Sequence, residues 1–220
     1  MKRYKKSIYV REVLQKMILL KPITKEEFYS IKKLSINHEE IEDCFKKYTH
    51  GFLDVYDHCL TPEEADKLIN SFGEHNLKYE DRFVEFMQAV YKMNKIQPVV
   101  VEFHMNGLSN IELVNILSCL DYKDKLLFID QIRYLNGDSN MFLVEDEEII
   151  TLLTKLSTRE LIFSIFHFIR VPVSVCGNFD LSFPMFFAGS DGLYLYKDMA
   201  RECSLHIRDI KIMEDKYEME

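Results

Sequence analysis

The feature that most constrains this chain is a change of period at Gln97-Pro98. Before it, apolar residues recur at helical spacing behind repeated helix-start signals. After it comes Val99-Val100-Val101-Glu102-Phe103, a β-branched run that reads as a strand. That order of signals belongs to an α+β protein. The expectation is a helical part over residues 1–96, then a mixed part over 97–220 with a C-terminal antiparallel sheet packed on helices. Composition agrees with an ordered globule: 47% of the 220 residues are hydrophobic, and only seven are glycine and five proline, too few for a low-complexity chain.

The start signals are specific. Thr24-x-x-Glu27 is a capping box, followed by Phe28, Ile31 and Leu34 at helical spacing. Asn37 with Glu40 opens a second helix carrying Ile41, Cys44, Phe45 and Tyr48. Thr61-Pro62-Glu63-Glu64 opens a third over 62–72, which Gly73 is placed to end, and 79–94 continues the pattern. Beyond the boundary, Ser109-x-x-Glu112 opens helices over 110–119 and 122–135, and Met141 to Val144 reads as a short strand. A further helix pair is expected over 146–156 and 158–169, the second opened by Ser157-x-x-Glu160. From Val171 the chain turns β-like. Phe183 to Phe187 and Leu193 to Tyr196 form a hairpin in this reading, joined by Gly189-Ser190-Asp191-Gly192, with Leu205 and Ile207 in a last strand.

Charge divides the chain unevenly. The net charge is −8, yet residues 1–33 hold ten Lys/Arg against three Glu, leaving the remainder at −15. A body of that sign repels phosphate and attracts basic surfaces. The five cysteines are odd in number and never form C-x-x-C, which argues against a disulfide framework and for a reducing compartment. The apolar stretch after the basic N-terminus is broken by Arg11 and Glu12, so no signal peptide is expected. The most apolar stretch, 161–175, contains His167 and Arg170 and is too short for a membrane span. A cytoplasmic protein without membrane contact is the expectation.

No phosphate-cradling loop is present in either the G-x-x-x-x-G-K-[ST] or the G-x-G-x-x-G form. Three chemical readings carry named residues. Cys176 and His206 have the order of a thiol nucleophile and its base, for a hydrolase or transferase. On a helix, His50, Asp54, Asp57 and His58 would share one arc and offer metal-ligand types; an ordinary amphipathic helix gives the same arc. Basic residues in 2–33, with Tyr4 and Tyr9, could hold nucleic acid. The adjoining helix pair, however, would present His38-Glu39-Glu40 to the phosphates, which is electrostatically wrong for a helix-turn-helix.

The fourth reading is favoured. Glu145-Asp146-Glu147-Glu148 is the densest acidic run, and Asp191, Tyr194 and Tyr196 gather charge and aromatic surface around one turn. These seven residues are the expected partner-binding set. The chain then reads as a non-enzymatic interaction module, an inhibitor, immunity-like or scaffold protein with an acidic face for a basic protein partner. In this reading no residue is catalytic, no metal or cofactor is held, and nucleic acid is disfavoured.

Overall fold

The computed structural model describes residues 19–36, 41–104, 108–133, 135, 139–177 and 180–213. They form an α+β fold around one eight-stranded sheet in which every pairing is antiparallel. The strands are β1 (Leu20–Pro22), β2 (Thr49–Asp54), β3 (Val99–Phe103), β4 (Met141–Val144), β5 (Ser164–Phe168), β6 (Val173–Cys176), β7 (Ser182–Phe187) and β8 (His206–Lys211). Their spatial order is β1-β4-β3-β5-β6-β7-β2-β8. The described helices are α1 (Lys25–Ile31), α2 (Ile41–Lys47), α3 (Pro62–Leu68), α4 (Phe72–Asn94), α5 (Asn110–Cys119), α6 (Tyr122–Ile132), α7 (Glu147–Thr158) and α8 (Ser190–Glu202).

Each of the three capping boxes at Thr24, Thr61 and Ser109 forms reciprocally, the hydroxyl accepting from the third helical N–H and the glutamate accepting from the cap N–H. The expected signal at Asn37–Glu40 lies outside the described residues. Alternation along the strands then sorts the side chains onto two faces. One face carries Leu53, Val99, Val101, Phe166, Val175, Phe183 and Phe187, and packs against α4, α7 and α8 in the largest apolar cluster. The opposite face carries Val100, Ile165, Cys176 and Phe186, and is covered by α1, α2 and, between them, Leu34 and Ile36.

Several expectations are corrected. The part before residue 97 is not purely helical: β1 and β2 both join the sheet, which therefore crosses the expected 96/97 boundary. In β2, Gly51 allows close pairing with β8, because a Cβ there would come within 2.8 Å of Ile207 Cγ2. The Ser157-x-x-Glu160 signal closes α7 and opens no helix. Glu160 takes φ 55°, its N–H donates to the Ser157 carbonyl, and the Leu161 N–H donates to the Leu156 carbonyl at 2.9 Å, which is a Schellman stop. Residues 164–168 emerge from that stop as a central, wholly buried strand. Gly73 sits in the first turn of α4 and does not end α3. The expected hairpin at 189–192 is instead the start of α8, so Leu193 to Tyr196 is helical.

Candidate functional site

The helices α6 and α7 both begin with an aspartate cap. Asp121 accepts from the Asp124 N–H at 2.9 Å, and Asp146 accepts from the Glu148 N–H at 2.8 Å. Between these ends lies a groove of about 390 Å³ lined by Gln88, Asp124, Leu127, Asp146, Glu147 and Glu148, among others. Three of the four residues in the expected acidic run thus face one concavity, joined by Asp124, which sequence reasoning did not select. Acidic first-turn residues also complement the positive end of a helix dipole, so the run stabilises α7 as well as charging the groove.

Lysines answer these carboxylates at the rim. Lys21 meets Glu145 at 2.8 Å, Lys92 meets Glu147 at 3.0 Å, and Lys123 meets Glu148 at 2.7 Å. Lys155 reaches Asp124 at 2.6 Å and is itself mostly buried. The three rim pairs are solvent-exposed, and such pairs are worth about 0–1 kcal/mol, so an incoming cation can replace a lysine at little cost. The field of the run is felt nearby. Burial, and then Asp146, Glu145 and Glu147, push the Tyr91 phenol above its ordinary value. Beside the groove, α6 exposes Tyr122 and Leu126.

The second half of the expected partner set divides. Asp191 and Tyr194 are exposed on α8, whereas Tyr196 is 0% exposed. Its hydroxyl donates to the Val171 carbonyl at 2.6 Å and accepts from Asn94 Nδ2 at 3.2 Å. Tyr196 is therefore a core residue, and no residue of α8 lines the acidic groove. The two-residue step that would keep Tyr194 and Tyr196 on one face of a strand turns them to different sides of a helix.

The thiol reading is overturned by topology. Cys176 ends β6 and His206 begins β8, three strand spacings or about 14 Å across the sheet. Cys176 is fully buried, and burial raises its thiol well above the ordinary value, the opposite of activation. Gly177 behind it allows α7 to pass, since a Cβ there would come within 2.5 Å of Ser157 Cβ. The metal reading fails for a related reason. His50 and Asp54 are on a strand, where Asp54 accepts from Arg208 Nε at 2.8 Å and from the Tyr56 N–H at 3.0 Å. Asp57 and His58 form an exposed pair on the following turn, with His58 also 3.4 Å from Glu64. No cluster of three or more metal-ligating side chains occurs among the described residues. Residues 2–18 of the basic segment lie outside them.

A polar row on the sheet was not anticipated. Ser174 on β6, His167 on β5 and Glu102 on β3 share the face beneath α1. Ser174 Oγ lies 2.9 Å from His167 Nδ1, and His167 Nε2 lies 4.0 Å from Glu102 Oε2, outside hydrogen-bond range. Serine, imidazole and carboxylate in a row suggest acyl-transfer chemistry, but the row is closed. The three side chains belong to residues 1%, 2% and 5% exposed, the Phe28 ring lies 4.8 Å from the imidazole, and the adjoining void of about 10 Å³ has room for at most one water. Burial, and then Lys32, push the His167 pKa down to about 3, so the ring is neutral at physiological pH. Its only sequence signal is cross-strand: residues 167 and 174 pair once the β5–β6 hairpin register is known.

The geometry defines the class as an antiparallel α+β protein with a polar, partly self-neutralised groove between two helix N-termini. Compared with known proteins, the chain matches no family model, no curated protein and no solved structure.

Proposed function

We propose that this chain is a non-enzymatic protein-interaction module, inhibitor-, immunity- or scaffold-like, whose acidic groove receives a basic surface of a protein partner. The observation that carries this reading is the convergence of Asp124, Asp146, Glu147 and Glu148 on one concavity. A partner cation entering there exchanges one exposed ion pair for another while burying its alkyl stem against Leu127, and the exposed Tyr122 and Leu126 supply apolar contact alongside. Charge of this kind acts first on the rate of encounter, and salt weakens it.

The test begins with affinity capture of the full chain's partner from its native cells, followed by measured association kinetics. The full-length variant E145Q/D146N/E147Q/E148Q keeps the α7 cap, because asparagine caps as well as aspartate. Its association should be about tenfold slower in dilute buffer and lose most of its salt dependence. An on-rate equal to the parent's at every salt concentration would sink the reading.

A further inference from the structure

Away from the groove, the fold sets two carboxylates against each other without a cationic side chain to answer them. Glu160, at the stop that ends α7, and Asp180, in the turn before β7, lie within hydrogen-bond reach of one another. Among the described residues neither makes an ion pair, unlike Glu145, Glu147 and Glu148 of the acidic run, which each meet a lysine. Two carboxylates in contact cannot both stay ionised unaided; a proton or a metal ion must lie between them.

A third oxygen selects the metal ion. Asn76 on α4 is 4% exposed, and its Oδ1 is buried without a hydrogen-bond partner. The same amide faces the pair, its Nδ2 standing 3.5 Å from Glu160 Oε1, long for a bond to a charged acceptor. A half-turn of the amide exchanges two ends that only their hydrogen bonds tell apart. It brings the orphan oxygen to the carboxylates and turns the N–H₂ toward the His75 ring, which touches the same amide. A shared proton serves two carboxylate oxygens and leaves the amide oxygen unserved, whereas a metal ion serves all three. The donors are hard oxygens, two of them carboxylates, with no histidine or cysteine, which is the chemistry of magnesium and calcium completed by water. Neighbouring ligands on such an ion stand roughly 3 Å apart, the separation of hydrogen-bonded oxygens, so the pair needs little movement to receive it. We propose that Glu160, Asp180 and Asn76 hold a hard divalent cation, magnesium or calcium, where α4, the end of α7 and the turn before β7 meet. The ion ties these three elements together and stabilises the fold, independently of what the acidic groove binds.

Thermal unfolding of the full chain tests this, after stripping with EDTA and exchange into chelator-free buffer. MgCl₂ or CaCl₂ is added, with NaCl at matched ionic strength as the control, and isothermal titration calorimetry gives affinity and stoichiometry. At about ten times Kd the better of the two ions should raise the midpoint by about 3–6 °C, with one ion bound per chain. E160Q/D180N keeps the shape of both side chains and removes their repulsion, so it should melt above the parent without divalent ions and ignore them when added. Asn76→Asp brings a third charge to the site. It should melt below the parent without divalent ions and bind the ion about tenfold more tightly. A midpoint that moves no further in either divalent salt than in NaCl would leave a shared proton between the carboxylates and overturn the proposal. A response that survives in E160Q/D180N but disappears in E145Q/D146N/E147Q/E148Q would place the ion in the groove and overturn it equally. Should E160Q/D180N fail to fold, Asn76→Asp decides, and affinity no tighter than the parent's sinks the site.

Discussion

The two faces of the sheet are built to different standards. One buries Phe83, Phe86, Met87, Ile150, Leu153 and Phe183 under long helices in a single large apolar cluster, with the buried Glu80 held by Arg159 where α4 meets the end of α7. The other lies under two seven-residue helices and encloses Glu102, His167 and Ser174 among its apolar contacts. Apolar burial on the first face scales with area and tolerates no vacancy. On the second, each polar group must keep its partner or its neutrality, so the cover does more to exclude water than to supply area. The long-helix face should therefore set global stability, and the short-helix face should open first.

The strongest way to break this contrast is to remove a ring from each side. Phe183 is fully buried, with its ring 4.9 Å from that of Phe83. Phe183→Ala should cost about 3–5 kcal/mol in denaturant unfolding. Phe45 on α2 is only half-buried and packs over the small cluster containing Cys44 and Cys176. Phe45→Ala should move the unfolding midpoint less, yet speed native-state labelling of Cys176 about tenfold, because opening the cover is what exposes the thiol. Equal midpoint shifts with no change in labelling would show that the faces unfold together.

A pH series sharpens the comparison further, because the short-helix face fully buries a histidine, His167, that refuses its proton. His167 faces Ser174, Lys32 and, at 4.0 Å, Glu102; burial and then Lys32 push its pKa down to about 3 from 6.5. Above pH 6.5 neither state holds the proton, so this contribution is fully present. As pH falls below 6.5 the unfolded chain binds a proton that the folded one does not, and stability is lost until about pH 3. The limiting slope is about 1.4 kcal/mol per pH unit. His167→Gln should flatten the parent's pH–stability curve by about that slope between pH 6 and 4. Parallel curves would show that the imidazole is protonated in the fold.

What the sequence disclosed follows the same division. Local signals were legible: the boxes at Thr24, Thr61 and Ser109 are closed four-residue circuits, and Val99–Phe103 is β-branched enough to declare itself. The central strand after α7 was not. Ser164–Phe168 is covered on both faces, so it lacks the alternation that marks a half-exposed strand, and its apolar run passes for a helix. Gly189-Ser190-Asp191-Gly192 contains turn residues, yet a helix start favours the same types, and Tyr196 fills the core from α8. Of the site, the acidic run was legible as charge. Its concavity depended on Asp124 arriving from α6, and the His167–Ser174 pair on a strand register; both are tertiary facts.

Tyr196 and Tyr194 separate core from surface within one helix. Tyr196→Phe deletes the hydroxyl that links Asn94 to the Val171 carbonyl and should cost about 1–2 kcal/mol, with partner association unchanged. Slower association by the stable variant would restore Tyr196 to the binding surface.

The smallest effect distinguishes helices that share one cap chemistry. Thr24 and Thr61 make the same reciprocal box, but α1 buries Phe28 against the sheet while α3 buries nothing. Losing such a cap removes about 1 kcal/mol from its helix. For Thr24→Ala that loss should appear in global unfolding, because α1 cannot fray without uncovering Phe28 and, beneath it, His167. For Thr61→Ala it should appear as faster amide exchange confined to α3, with the unfolding midpoint unmoved. Identical midpoint shifts for both would mean that α3 is coupled to the core by something other than buried side chains.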